Sequence, residues 1–91
     1  MEFNDHKPIY LQISDRIFEK ILEGELTANE RILSVRELGA LYGVNPNTVM
    51  RTYDYLQNNN IIYNKRGVGY FLSDDAKNIV IDLLRSEFIT N

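Results

Sequence analysis

Ser34-Val35-Arg36-Glu37-Leu38-Gly39-Ala40-Leu41-Tyr42-Gly43-Val44-Asn45-Pro46-Asn47-Thr48-Val49 is the stretch whose reading decides the fold. Ser34 with Glu37 three residues on is a capping-box pattern: the hydroxyl accepts from the Glu37 N–H and the carboxylate reaches back. Leu33 and Leu38 occupy the two positions of a hydrophobic staple. Gly43 ends this short helix after Leu41 and Tyr42. One residue later Asn45 caps the next helix, with Pro46 in its first turn. Val49, Tyr53 and Leu56 give that helix an apolar face at i, i+4, i+7, and it runs to about Asn59, with Asn60 as a left-handed terminator. Two helices joined by a tight glycine-containing turn form a helix-turn-helix unit.

Working outward, Pro8 suits the first position of an upstream helix ending near Glu23, where Gly24 supplies the stop. Ile13, Ile17 and Ile21 recur every four residues there, widened by Leu11, Phe18 and Leu22, while Asp15, Arg16, Glu19 and Glu23 lie off the stripe. Residues 25–30 read as a loop, and Arg31-Ile32-Leu33 as a short strand. Downstream, Ile61-Ile62-Tyr63 and Tyr70-Phe71-Leu72 are β-branched or aromatic runs. Between them Asn64-Lys65-Arg66-Gly67-Val68-Gly69 makes the tip of a hairpin carrying two cations and two glycines. Helix, helix-turn-helix and basic-tipped hairpin, in that order, specify a winged helix-turn-helix. The expected fold is mainly α with a small β-hairpin wing, followed by the start of a C-terminal helix.

Composition bounds the alternatives. Ninety-one residues, 44% apolar and 25% charged, suit one small soluble domain. The absence of cysteine rules out disulfides and thiolate metal sites. No stretch approaches the eighteen apolar residues of a membrane span, and the opening residues do not read as a secretory signal, so a cytoplasmic location is expected. The net charge is −3, unusual for a nucleic-acid binder, but it is unevenly spread. From Arg31 to Phe71 five cations (Arg31, Arg36, Arg51, Lys65, Arg66) face two anions (Glu37, Asp54), a local +3, and the remainder carries −6. That asymmetry permits a phosphate-facing middle.

A recognition helix places its N-terminal residues against base edges in the major groove. Opposite Val49, Tyr53 and Leu56 the second helix carries Asn47, Met50, Arg51 and Asp54, with Asn47 and Arg51 four apart and hence neighbours. Arginine suits guanine O6/N7 or a phosphate, and asparagine suits adenine N6/N7. Asn45 and Thr48 stand at the helix start, where free N–H groups and the dipole attract phosphate. Ser34 and Arg36 hold the equivalent place on the preceding helix. At the hairpin tip Lys65 and Arg66 can reach the neighbouring minor groove, while Gly67 and Gly69 let the backbone approach.

Each assignment has a plainer competitor. Ser34, Asn45 and Thr48 serve as helix-terminus groups in any case. Arg51 can instead pair with Asp54 or Tyr55 on a solvated face, and Gly67 and Gly69 can be required by the turn alone. Met50 either touches a thymine methyl or packs beneath the wing. His6 reads as a terminal or capping residue rather than a catalytic one.

Lys7-Pro8-Ile9-Tyr10-Leu11-Gln12-Ile13, Ser34-Val35-Arg36-Glu37-Leu38, Gly43-Val44-Asn45-Pro46-Asn47-Thr48-Val49 and Arg66-Gly67-Val68-Gly69-Tyr70-Phe71 together resemble the DNA-binding domain of GntR-family repressors. The opening segment and Asn-Pro-Asn-Thr-Val resemble the small YtrA-type branch. The resemblance covers roughly residues 7–72. It implies a homodimer on a short palindromic operator in double-stranded DNA, with contacts at Arg36, Asn45, Asn47, Thr48, Arg51 and the wing tip at Gly67. Five positions depart from the family pattern. Ala28-Asn29 replaces Pro-Gly, Leu33 replaces Pro, Met50 stands where arginine or another polar residue is frequent, and Asn60 replaces a common glycine.

Residues 1–72 are thus expected to form the winged domain and 73–91 to begin a dimerisation region. Ser73-Asp74-Asp75 caps the tail helix, in which Ile79 with Leu83, and Val80 with Leu84, form a stripe continuing towards Phe88. A lone apolar helix needs a partner, so the chain reads as a piece of a slightly longer regulator, with a complete miniature regulator as the alternative. No segment is large enough for a dedicated effector domain, and any small-molecule effector stays unidentified. One histidine and no cysteine build no nucleophile–base set, and Gly67-Val68-Gly69 lacks the third glycine and following helix of a dinucleotide site, so neither an enzyme nor a cofactor is expected. The competing class is a winged helix used for protein–protein contact, which the overall acidity favours.

Overall fold

The computed structural model describes residues 6–89, with side chains to Ser86. Its elements are α1 (Ile9–Leu22), α2 (Val35–Tyr42), α3 (Pro46–Asn58), β1 (Ile62–Lys65), β2 (Gly69–Leu72) and α4 (Ala76–Ile89). This is a three-helix core with a two-stranded wing and a trailing helix. The expected mainly helical winged helix-turn-helix is present.

Local chemistry sets most boundaries. Pro8 is the N-cap of α1 rather than its first residue, a shift of one position. α2 opens with the full capping box: the Glu37 N–H donates to Ser34 Oγ at 3.1 Å, and the Ser34 N–H donates to Glu37 Oε1 at 2.9 Å. Gly43 closes it in the left-handed region at φ 68°. Asn45 caps α3 by accepting from the Asn47 N–H at 2.8 Å, and Asn60, just beyond the helix, has φ 62°. The turn between α2 and α3 is tighter than its spacing alone requires. Gly39 is buried, and a Cβ there would stand 2.9 Å from the Val44 carbonyl oxygen, so only glycine allows this close approach.

The hairpin pairs Ile62 with Leu72, Tyr63 with Phe71, Asn64 with Tyr70 and Lys65 with Gly69. Strand therefore extends into the residues expected to form its tip. Asn64, Lys65 and Gly69 are in the ladder, and the connection shrinks to Arg66-Gly67-Val68. The Val68 N–H donates to the Lys65 carbonyl at 2.9 Å, and Gly67, at φ 79°, takes the third position of that turn. The expected strand at Arg31-Ile32-Leu33 reduces to one antiparallel bridge, Arg31 to Phe71. The Ile32 N–H donates to the Tyr70 carbonyl at 2.9 Å, after which the chain turns away to begin α2.

The core is built where the stripes predict. Ile13, Ile17, Phe18 and Ile21 of α1 meet Leu38 of α2, Val49, Tyr53 and Leu56 of α3, and Ile61, Ile62 and Leu72 of the wing. Ala76 and Val80 of α4 join the same cluster, so α4 packs onto α1 from its first turns. Fully burying an aliphatic side chain of this kind stabilises by roughly 1.5–3 kcal/mol. Two buried hydroxyls tie elements together. Tyr53 Oη donates to the Leu33 carbonyl at 2.6 Å, fixing the entry to α2 against α3. Thr52 Oγ1 lies 2.8 Å from the Tyr10 carbonyl, fixing α1 against α3. Leu33 stays 42% exposed while lining the same apolar pocket as the buried Leu38.

Candidate nucleic-acid interface

α3 buries Val49, Thr52, Tyr53 and Leu56 and turns the opposite side outward. Asn45, Asn47, Met50, Arg51 and Asp54 are exposed, and Thr48 is half-buried. The neighbouring pair Asn47 and Arg51 therefore projects from the surface, at the N-terminal half of the helix, as the spacing predicts.

The helix start differs from expectation in one respect. Pro46 has no N–H, the Asn47 N–H is taken by the Asn45 side chain, and the Thr48 N–H donates to the Asn45 carbonyl at 2.9 Å. The first turn thus holds no free backbone donor among these residues. Attraction for an anion rests on the dipole and on side chains, namely the Asn45 and Asn47 amides and the Thr48 hydroxyl.

Arg51 does not turn towards Asp54 or Tyr55. Its guanidinium carbon lies 4.6 Å from the centre of the Tyr10 ring, and Tyr10 packs edge-on against Tyr55 at 6.3 Å. Pro8, Ile9 and Tyr10 therefore share a shallow groove with Asn47, Thr48 and Arg51. The start of α1 belongs to this surface, which reading the helices separately misses. The signal was in Lys7-Pro8-Ile9-Tyr10, an exposed apolar and aromatic beginning to an otherwise amphipathic helix.

On α2, Ser34 is half-buried in its capping box and Arg36 is exposed. The Glu37 carboxyl is held below its ordinary value of 4.5, first by the hydrogen bonds from Ser34 and to a lesser degree by the Arg31 cation. On the wing, Lys65, Arg66 and Gly67 are exposed and Gly69 is half-buried. Lys65 Nζ lies 5.6 Å from the Phe71 ring centre, and Phe71 stacks on Tyr63. Met50 turns to the wing: Tyr70 Oη donates to its sulfur at 3.8 Å, while Tyr70 packs edge-on against Tyr53.

The ion pairs among the described residues are Lys7–Asp15, Arg16–Glu19 and Lys20–Glu25, all on or beside α1. Arg31, Arg36, Arg51, Lys65 and Arg66 carry no ion pair among the described residues, so the basic middle of the chain keeps its charge outward. Among the described residues no group of three histidine, cysteine or carboxylate residues forms a metal cluster, and no helix is long and apolar enough to cross a membrane.

Known proteins share this arrangement. The family profile described as "Bacterial regulatory proteins, gntR family" matches residues 9–72. The chain is 38% identical over 86 residues to an uncharacterized HTH-type transcriptional regulator, YhcF of Bacillus subtilis, covering 94% of this chain and 69% of that protein. It is 37% identical over 75 residues to the HTH-type transcriptional repressor YtrA of Bacillus subtilis, covering 82% of this chain but only 58% of that relative. A solved GntR family transcriptional regulator from Listeria monocytogenes superposes with a TM-score of 0.83 at 39% identity, covering 97% of this chain and 82% of the other. With profile, relatives and winged helix-turn-helix in agreement, this chain belongs to the GntR family of bacterial regulatory proteins.

Proposed function

We propose that this chain reads a short palindromic operator in double-stranded DNA as a homodimer and represses transcription in the cytoplasm. Its α3 enters the major groove, and the β1–β2 hairpin meets the adjacent minor groove. The observation that carries this reading is the outward projection of Asn47 and Arg51 from a helix whose other side is fully packed. Asn47 and Arg51 contact base edges, Met50 leaning on the wing beside them. Ser34, Arg36, Asn45 and Thr48 contact the sugar-phosphate backbone. Lys65, Arg66, Gly67 and Gly69 form the wing's share of the site.

The membership of a regulator family, with a named repressor among its relatives, supports the repressor assignment. For the dimer, support comes from α4 in the segment 73–91. Beyond Val80 it keeps Ile81, Leu83 and Leu84 only half-buried, an apolar surface suited to a second copy. The stripe's extension to Phe88 lies outside the described side chains. No catalytic role, cofactor or metal is assigned.

Selection of bound fragments from a random duplex library tests the reading. A palindromic consensus is expected, with half-sites about one helical turn apart, and affinity should fall steeply with added salt as counterions are released. No enrichment of any duplex, together with a protein partner held equally well at high salt, would replace it with the protein–protein class.

A further inference from the structure

Gly69 is read above as a turn residue or as a place where DNA approaches the backbone. Its surroundings give it another task. At φ 141° it occupies a region that side chains disfavour, and a Cβ built there would stand 2.9 Å from Arg31 Nε and 3.4 Å from a terminal guanidinium nitrogen. The space left by the missing side chain is filled by Arg31. This arginine bridges Phe71 through its backbone, so its side chain leaves from the edge of β2 and lies along the strand towards the wing tip.

Arg31 stands three residues before Ser34 and close enough to Glu37 to help hold that carboxyl ionised. Its guanidinium lies over Gly69, two residues from the turn at Gly67, while its backbone leads into the start of α2. It is exposed, and no described ion pair includes it. Arginine's planar fork suits a phosphate oxygen, and holding the guanidinium against a glycine reduces the side-chain freedom lost on binding.

We infer that Arg31 is a further backbone contact of the operator complex, gripping a phosphate between the α2 and wing contacts, and that Gly69 is the residue that positions it. This rests on the operator reading above. The pair adds affinity without reading sequence, because phosphate contacts fix register rather than base identity.

The test uses the full chain and one duplex taken from the selection, titrated across salt concentrations, with Arg31→Ala, Gly69→Ala and the double variant compared after thermal melts confirm folding. Arg31→Ala should weaken matched and unmatched duplexes by the same several-fold factor and flatten the salt slope by about one. Gly69→Ala should give much of that loss, and the double variant should bind no worse than Arg31→Ala alone. In nitrogen-labelled wild-type protein the Arg31 Nε–H resonance should move on adding duplex, a readout that needs no variant. A wild-type salt slope in Arg31→Ala with an unmoved resonance would overturn the contact, and additive losses in the double variant would overturn the positioning role of Gly69. Failure of the wild-type chain itself to bind any duplex would instead overturn the operator reading.

Discussion

The Arg51 guanidinium rests over the ring of Tyr10, 4.6 Å from its centre, so the residue best placed to meet a base on α3 is supported by the first turn of α1. A cation over a tyrosine face gains about 0.5–1 kcal/mol at an exposed site. The larger consequence is geometric. The stack holds Arg51 beside Asn47 before any ligand arrives, and the Thr52 hydroxyl near the Tyr10 carbonyl keeps the two helices in register.

Arg51→Ala should therefore weaken specific binding by about 1–3 kcal/mol if it pairs with a base. Tyr10→Leu should leave the fold intact and cost less, and its effect should vanish in the Arg51→Ala background. Fluorescence titrations of the four proteins with matched and unmatched duplexes measure this. A Tyr10→Leu effect that persists without Arg51 would show that the ring acts on its own account.

Lys65→Ala combined with Arg66→Ala should lower affinity for all sequences and flatten the slope of log affinity against log salt by about two, one per lost phosphate partner. Lys65 holds its ammonium over the Phe71 ring, so a small loss of wing stability should accompany it. An unaltered slope would remove the wing tip from the interface.

Gly39→Ala should destabilise the domain by about 1–3 kcal/mol, the usual cost of overpacking, because the added carbon meets the Val44 backbone oxygen and not a side chain that can move. Denaturant melts give the value. Wild-type stability would mean that the α2–α3 turn relaxes more easily than its geometry suggests.

Glu37 and Tyr53 are two of the groups whose titration shapes the stability curve, beside Glu30, which Thr27 holds low, and Lys20, which Glu25 holds high. The depressed Glu37 carboxyl contributes stability that is present above its ordinary value of 4.5 and is lost as pH falls through the lower folded-state value. Tyr53 has its phenol pushed above the ordinary value of 10.0, chiefly by burial, so stability is full below that pH and falls above it as the unfolded chain ionises. Glu37→Gln should flatten the acid limb of a melting-temperature curve and Tyr53→Phe the alkaline limb. Ser34→Ala should cost about 0.5–2 kcal/mol as a lost cap. Limbs unchanged in both variants would assign the pH dependence to other groups.

What the sequence disclosed was what local rules govern. The capping box at Ser34, the left-handed stop at Gly43, the Asn45 cap and the i, i+4, i+7 face of α3 are each set by neighbours within a turn, and each stands where its pattern placed it. The outward direction of Asn47 and Arg51 followed from the same periodicity. What stayed hidden depends on residues far apart in the chain. Arg51 meets Tyr10 and Arg31 fills the space over Gly69, neither of which spacing within one element can reveal, whereas the contact of Met50 with Tyr70 is the wing packing that was one of its two readings. The hairpin tip is shorter than its composition suggests: asparagine, lysine and glycine disfavour strands on average, whereas cross-strand pairing here recruits them. The supposed free N–H groups of α3 were lost to the Asn45 cap and to Pro46, two start signals that also consume the donors they mark.

The most direct test of the central claim is a titration of labelled full chain with the selected duplex, followed by amide chemical shifts. Shifts and broadening should concentrate at residues 34–37, 45–51 and 65–69, with Asn47 and Arg51 among the largest. Perturbation confined to the outer faces of α1 and α4, with the start of α3 silent, would contradict it.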